Sequence, residues 1–342
     1  MNSRERVNAA IHFKPVDKVP LQYNYTPVGY FEHGDKLNEL YKAYPDDFGP
    51  FEYKQVPVLT KNQLDENGNY HEFKKDEWDT VWEYRIYGIA GIPHIYPLSD
   101  MGKLKDYIVP SQPDIGSEQF LIDKQQAVEH KKNYYLSRFA GTIIEKLKAL
   151  CPDENVYCDM AEGTKEINQL ADMIVEYYEK KIQYLLAIDV DGFYFGDDYG
   201  TEKSMLLSPS LWRSFFKPRW ERLFEPIKKA GKNIHFHSCG YVLPILEDLK
   251  ELGVHSIWPQ LPAYDMVEFA KYCRSLKLAV AIHTDRANVM TFGTPSQVKD
   301  LVKKEYEVFR MQEGGSWFYV EADNGFPFEN MEALVETIAQ YR

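Results

Sequence analysis

The chain has 342 residues, 44% of them hydrophobic, enough to bury the core of one large domain or two ordinary ones. Its formal net charge is -12, with acids and bases interspersed and no Lys/Arg block, which argues against an electrostatic grip on nucleic acid or anionic lipid and leaves small molecules or a protein partner. Met1 is followed by no charged and then apolar leader, and no apolar run approaches the roughly 20 residues of a membrane span, so a cytoplasmic protein is expected.

In chain order, "KVPLQYN" near residue 20 reads as a first strand. A long excursion follows, over residues 25–130. It contains "HEFKKDEWDTVWEYRIYG", whose alternation suits a hairpin with one buried aromatic face, and "MGKLKDY" and "IGSEQFLIDKQQAVEHKK", which read as helices. After it a regular beat sets in. "YYLSRFA" precedes the helix "GTIIEKLKAL", and "NVYCDMA" reads as a strand before the long helix "TKEINQLADMIVEYYEKKIQYLLAI". "DGFYFGDD" precedes a helix begun by "SPSLWRSFF", with Ser208 at the N-cap and Pro209 in the first turn. "NIHFHSCG", "HSIWPQL", "KLAVAIHTD" and "SWFYVEAD" are four further strands, each with a helix behind it. Alternating strands and helices imply a parallel sheet, and eight such units close most naturally into an α/β fold of the (β/α)8 TIM-barrel class with a long insertion after the first strand. Residues 1–342 are expected to form one domain in which the insertion acts as a lid or wall. A doubly wound open sheet is the rival fold, weakened by the absence of any Gly-x-Gly-x-x-Gly or P-loop sequence.

Barrel enzymes carry their chemistry at the C-terminal ends of the strands. Here those ends hold Asp197 and Asp198, His237 and Cys239, Gln260, His283 and Asp285, and Glu321 and Asp323. In "NIHFHSCG" the positions 235, 237 and 239 share one face of the strand, about 6.6 Å between alternate residues, so His237 and Cys239 can close on a single ion. Zinc takes such ligands, with iron or cobalt as substitutes, and Glu321 is the best third ligand, then His283. His235 lies one layer deeper and reads as a core or supporting histidine. Asp197 or Asp198 suits a general base or a substrate hydroxyl, but paired acids after a strand are also common N-caps. Arg138 needs an acidic partner or a ligand carboxylate. Tyr199 and Gln260 complete the expected substrate contacts. The four cysteines are too scattered for a disulfide framework, and Cys158 reads as a core thiol.

The stretch "GFYFGDDYGTEKSMLLSPSLWRSFFKPRWERLFEPIKKAGKNIHFHSCGYVLPILEDLKELGV" resembles the uroporphyrinogen decarboxylase superfamily, particularly its decarboxylase-like and corrinoid-linked methyltransferase branches. "RERVNAAIHFKPVDKVPL", "FGTPSQVKDLVKK" and "PFENMEALVETI" extend the resemblance over nearly the whole chain and imply the same (β/α)8 barrel. True uroporphyrinogen decarboxylases carry an arginine-rich stretch after the first strand and a histidine late in strand eight; here those places read "LQYNYTPVGYF" and "FYVEADNGF". The methyltransferase branch holds zinc with a His-x-Cys after this same strand, matched by His237 and Cys239, and with a strand-eight Cys, in whose neighbourhood stand Glu321, Asp323 and Asn324. An oxygen ligand there is what the resemblance implies.

The resemblance therefore implies a zinc-dependent methyltransferase that moves a methyl group between a small substrate, a methoxylated aromatic or a thiol, and a corrinoid protein. His237, Cys239 and Glu321 would hold the metal, with Asp198, His283 or Asp197 placing or deprotonating the substrate. The chain lacks an Asp-x-His-x-x-Gly motif, so the corrinoid is expected on a partner; barrels of this superfamily also pair, which implies a homodimer. Two alternatives stay open: a metal-free decarboxylase of a small acid, a lyase using Arg138 or Asp197, and a barrel that binds a ligand without converting it.

Overall fold

In the computed structural model, which describes residues 1–342, ten strands occur in chain order. They are β1 (Leu21–Asn24), β2 (Glu72–Lys75), β3 (Val81–Tyr84), β4 (Ile92–Ile95), β5 (Ser137–Gly141), β6 (Gly192–Gly196), β7 (Asn233–Ser238), β8 (Ser256–Pro259), β9 (Ala279–His283) and β10 (Ser316–Glu321). Seven of them form one curled sheet in the order β1-β10-β9-β8-β7-β6-β5, every neighbour parallel. Helices return the chain between successive parallel strands from β5 onward, and the result is a TIM-barrel fold. With helices on one face and the barrel interior on the other, strands such as β10, buried throughout its length, read as continuous apolar runs. No helix is long and apolar enough to cross a membrane.

Of the eight expected strands, the third in chain order is a correction. "NVYCDMA" lies inside a helix, Asp153–Glu162, which places Cys158 on the surface instead of in the core. The helix signals outweigh the short β-like run: Pro152 precedes the first turn, Asp153 and Glu154 face the positive end of the helix dipole, and Gly163 closes it in the left-handed region at φ 70°. Val156 and Met160, four apart, are its buried stripe.

Between β1 and β5 the ladder is interrupted, and the segment Asp46–Phe48 stands in. Leu21 donates its N–H to Asp47 Oδ2 at 3.0 Å and accepts the Asp47 N–H at 2.8 Å, while Tyr23 N–H reaches Asp46 Oδ2 at 3.2 Å. These bonds satisfy an edge that would otherwise be bare. Asp47 also receives Arg6 at 2.7 Å and Arg342 at 2.8 Å, which ties both ends of the chain to this point.

The long insertion forms helices Pro27–His33 and Asp35–Ala43, the antiparallel sheet β2-β3-β4 and the helix Glu118–His130. The hairpin reading of "DEWDTVW" is borne out by β2 and β3, with Trp78 only 2% exposed and packed edge-on to Tyr177 at 4.6 Å. Helix Pro27–His33 presses on the end of β10 so tightly that a Cβ on Gly29 would come within 2.5 Å of Ala322 Cβ. Ser208 caps the helix Pro209–Phe215 as expected, accepting from Leu211 N–H at 3.2 Å.

Candidate metal centre

Register places the C-terminal strand ends side by side. His237 of β7 is level with Gly196 of β6 and Trp258 of β8, Tyr319 of β10 with His283 of β9, and Glu321 of β10 with Asn24 of β1. Beyond β7 the chain turns sharply at Gly240, whose φ is +72°, and where a Cβ would lie 2.2 Å from the carbonyl carbon of Gly200. Gln260 Oε1 accepts the Gly240 N–H at 2.9 Å, and Tyr264 Oη donates to the Gly240 carbonyl at 2.8 Å. Cys239 is thereby fixed at the mouth of the barrel.

Three donor groups converge there: Asp198, His237 and Cys239, all with ligand atoms within 4.8 Å of one another. His237 Nε2 lies 3.3 Å from Cys239 Sγ and 3.4 Å from Asp198 Oδ1. A tetrahedral zinc with ordinary bond lengths separates nitrogen from sulfur by about 3.6 Å and nitrogen from oxygen by about 3.4 Å, so the spacing fits such an ion. The Nδ1–H of His237 donates to the Trp258 carbonyl at 2.9 Å, which turns Nε2 toward the other two donors, where an ion would displace its proton. The Cys239 N–H donates to Asp198 Oδ1 at 2.9 Å and aims that carboxylate. Burial disfavours a charged His237, but the hydrogen bonds to Asp198 and Cys239 prevail and raise its pKa to about 9. Asp198 moves the opposite way: burial raises its pKa, but His237 outweighs that and holds it at about 2. A carboxylate, an imidazole and a thiol brought this close form a candidate cation site.

Glu321, expected as the third ligand, is engaged by other groups, and the carboxylate that stands beside His237 and Cys239 is that of Asp198. Asn24 Nδ2 donates to Glu321 Oε2 at 2.8 Å, Tyr319 Oη at 3.2 Å, and Arg286 Nη1 reaches Oε1 at 3.3 Å. His283 Nε2 lies 3.8 Å from the same carboxylate. Burial lowers the pKa of His283 to about 4 and keeps it neutral, with its ring against Trp258 and Tyr319. His283 and Gln260 line the pocket in front of His237 and Cys239, together with Arg286.

Asp197 and Tyr199 are core groups. Asp197 is 0% exposed and accepts from the N–H groups of Ile143, Ile144 and Glu145, from the Thr142 hydroxyl and from Tyr199 Oη at 2.8 Å. It caps the start of the helix Ile144–Leu150 from across the sheet. Burial pushes its pKa up to about 7 against those hydrogen bonds. Tyr199, also 0% exposed, accepts Trp220 Nε1–H at 2.9 Å and leaves no surface for a substrate to touch, which corrects its place among the substrate contacts. His235 joins Tyr135 Oη at 2.8 Å and Ser256 Oγ at 2.6 Å deep in the barrel. Arg138 sits at the interrupted edge of β5, where its one hydrogen bond goes to the Ser137 carbonyl at 3.0 Å.

Sequence reasoning passes over Arg286, Trp258, Tyr194 and Asn24. Arg286 directly follows "IHTD" and Trp258 stands in "SIWPQ", so position at a strand end was the available signal for both. Asn24 ends β1 and carries no such charge or ligand chemistry.

The family model "Uroporphyrinogen decarboxylase (URO-D)" matches residues 152–341, more than half of the chain. The chain belongs to the uroporphyrinogen decarboxylase family. Among solved structures it is similar to a methyltransferase from Methanosarcina mazei, with TM-score 0.66, 15% identity, and coverage of 100% of this chain and 99% of that one. That likeness is one of fold. Dihydropteroate synthases from Anaplasma phagocytophilum (TM-score 0.37, 12% identity, 52% of this chain and 69% of that one) and Xanthomonas albilineans (0.34, 11%, 46% and 58%) are much more distant. Among curated proteins none matches.

Proposed function

We propose that this protein is a metal-dependent methyltransferase of the uroporphyrinogen decarboxylase family, which moves a methyl group between a small substrate and a corrinoid carried by a partner protein. The observation that carries the reading is the Asp198–His237–Cys239 triad, with zinc-like spacing, a fixed histidine tautomer and an open side toward a pocket. The Methanosarcina mazei neighbour, a methyltransferase, supports it. Bound zinc supplies Lewis acidity, which lowers the pKa of a thiol or alcohol or polarises an ether oxygen. The electron pair that forms the new bond to the methyl carbon would come from a corrinoid in its cobalt(I) state, while the pair of the broken C–O or C–S bond would stay on the heteroatom held near His237, Cys239 and Asp198.

Each residue has a share in this. His237, Cys239 and Asp198 hold the ion, and the Trp258 carbonyl and the Cys239 N–H orient the first and last of them. His283, neutral and pointed at the mouth, orients the substrate heteroatom, and the Trp258 and Tyr319 rings keep water from it. Arg286 and Asn24 hold Glu321 away from the ion.

Metal content by mass spectrometry and methyl transfer to free cob(I)alamin test the reading together. Wild type and Glu321→Gln are expected to hold about one zinc per chain, while Asp198→Ala, His237→Ala and Cys239→Ala lose it. His237→Ala should lower methyl transfer by more than about 100-fold, since outer partners of a metal ligand alone are worth 10- to 100-fold. Full zinc content or unchanged transfer in His237→Ala refutes the proposal.

A further inference from the structure

We infer that the substrate is a small organic acid of about one aromatic ring, a monoanion whose carboxylate is held by Arg138. The inference rests on reading the barrel mouth as an active site, and it adds the class of molecule that enters.

The interruption between β1 and β5 leaves a crevice of about 300 Å³. Asn24 and Arg138 stand on its two lips, and Phe139, Tyr194, Trp258 and Tyr319 line it. A cavity of roughly 150 Å³ accepts benzene, so this one has room for a single substituted ring and none for a tetrapyrrole. Flat aromatic faces suit a ring. Trp258 joins the crevice to the metal triad, because it lines both spaces and its ring lies 4.1 Å from that of His237. A molecule seated here has Arg138 on one side and, on another, the Trp258 ring that also borders the pocket of His237 and Cys239.

Charge decides the class. Every other arginine of the chain lies within 4.0 Å of a carboxylate. Arg138 alone has none. Asp123, the carboxylate whose field reaches it, is taken by Tyr184 Oη and Gln119 Nε2, each at 2.7 Å. Arg286, across the mouth, already stands beside Glu321 and Asp323 and offers no surplus positive charge. An exposed guanidinium without a protein carboxylate, on the lip of a crevice lined by aromatic rings, is free to meet a ligand carboxylate with two parallel hydrogen bonds. One arginine matches one charge, which favours a monoanion over a polyacid.

The test measures binding by calorimetry on the whole chain, with and without chelator. The probes are 4-methoxybenzoate and its neutral isostere 4-methoxybenzamide. Wild type should prefer the acid by about tenfold or more, Arg138→Met should abolish the preference with amide binding intact, and Arg138→Lys should keep part of it. Equal affinity for the two probes in wild type, a preference that survives Arg138→Met, or no binding of either probe overturns the inference. Since binding is read without metal or turnover, an anion preference in a protein that transfers no methyl refutes the reaction and leaves the substrate class standing, and the converse result does the opposite.

Discussion

Asp197 and Asp198 are neighbours in sequence with opposite duties, and Asp197→Ala separates them. Removing the Asp197 carboxylate strands the N–H groups of Ile143, Ile144 and Glu145 and the hydroxyls of Thr142 and Tyr199. The Thr142 hydroxyl can rotate and the Glu145 bond is long at 3.3 Å, which leaves two helix-start N–H groups and one buried phenol as the main losses. At about 1–3 kcal/mol for each buried donor left unmatched, partly offset by water entering the gap, the sum is about 4 kcal/mol. Unfolding entropy of about 2.1 cal/mol/K per residue, applied to the full chain, converts that to a fall in Tm of roughly 5–6 °C. Scanning calorimetry reads the fall, and metal analysis below the transition shows whether the ion stays. The expected variant is less stable and keeps its zinc. A Tm within about 1 °C of wild type, combined with lost methyl transfer, would show that Asp197 acts on the substrate and that its capping role is incidental.

Gly240→Ala should destabilise the turn behind Cys239 by about 2 kcal/mol or more, because a left-handed φ and a backbone-to-backbone clash with Gly200 act together. Metal titration should then show weakened binding with all three ligands present; unchanged affinity refutes the claim that the turn positions Cys239. A second expectation concerns pH. His255 Nδ1 accepts the Ile234 N–H at 3.2 Å, and burial, with His12 and Lys250 nearby, lowers its pKa to about 4. The unfolded chain binds the proton first as pH falls below about 6.5, so the stability is present above that value and is lost as pH drops toward 4. The loss at pH 5 is on the order of 1 kcal/mol, reduced by the partial exposure of the ring. His255→Asn keeps an acceptor for Ile234 and cannot titrate, so its urea midpoints should change less between pH 6.5 and 5 than those of wild type; parallel curves sink the assignment.

The barrel was legible because strands buried on both faces leave unmistakable apolar runs, each followed by a helix, and because His and Cys at the end of one such run are costly in a core. The "NVYCDMA" segment misled because a short β-like run such as Val156-Tyr157-Cys158 is outweighed when Pro152, the acidic first turn and Gly163 frame a helix around it. Choosing among carboxylates was beyond the sequence. Glu321 and Asp198 both end strands, and only the register of β1 against β10, which sets Asn24 beside Glu321, shows that one is already engaged. Likewise Asp197 and Asp198 differ by one position, and which of them turns inward depends on the path of the chain after β6. That Arg138 finds no carboxylate depends on which side chains neighbouring elements bring to it, and no local pattern encodes that.

The seam between the first and last strands also sets the order in which the molecule is completed. Leu21 lies opposite Phe318, and the Pro20 carbonyl accepts the Phe318 N–H at 3.1 Å, so one side of β1 waits for the far end of the chain. At the usual rate of synthesis, about 5–20 residues per second, β1 emerges from the ribosome roughly 15–60 s before β10. Its other side is covered at once by Asp46 and Asp47, made only about two dozen residues later. The nascent protein therefore carries a half-protected strand for most of its synthesis, and a chain cut short before residue 316 would keep that open edge permanently, a template for pairing with other chains.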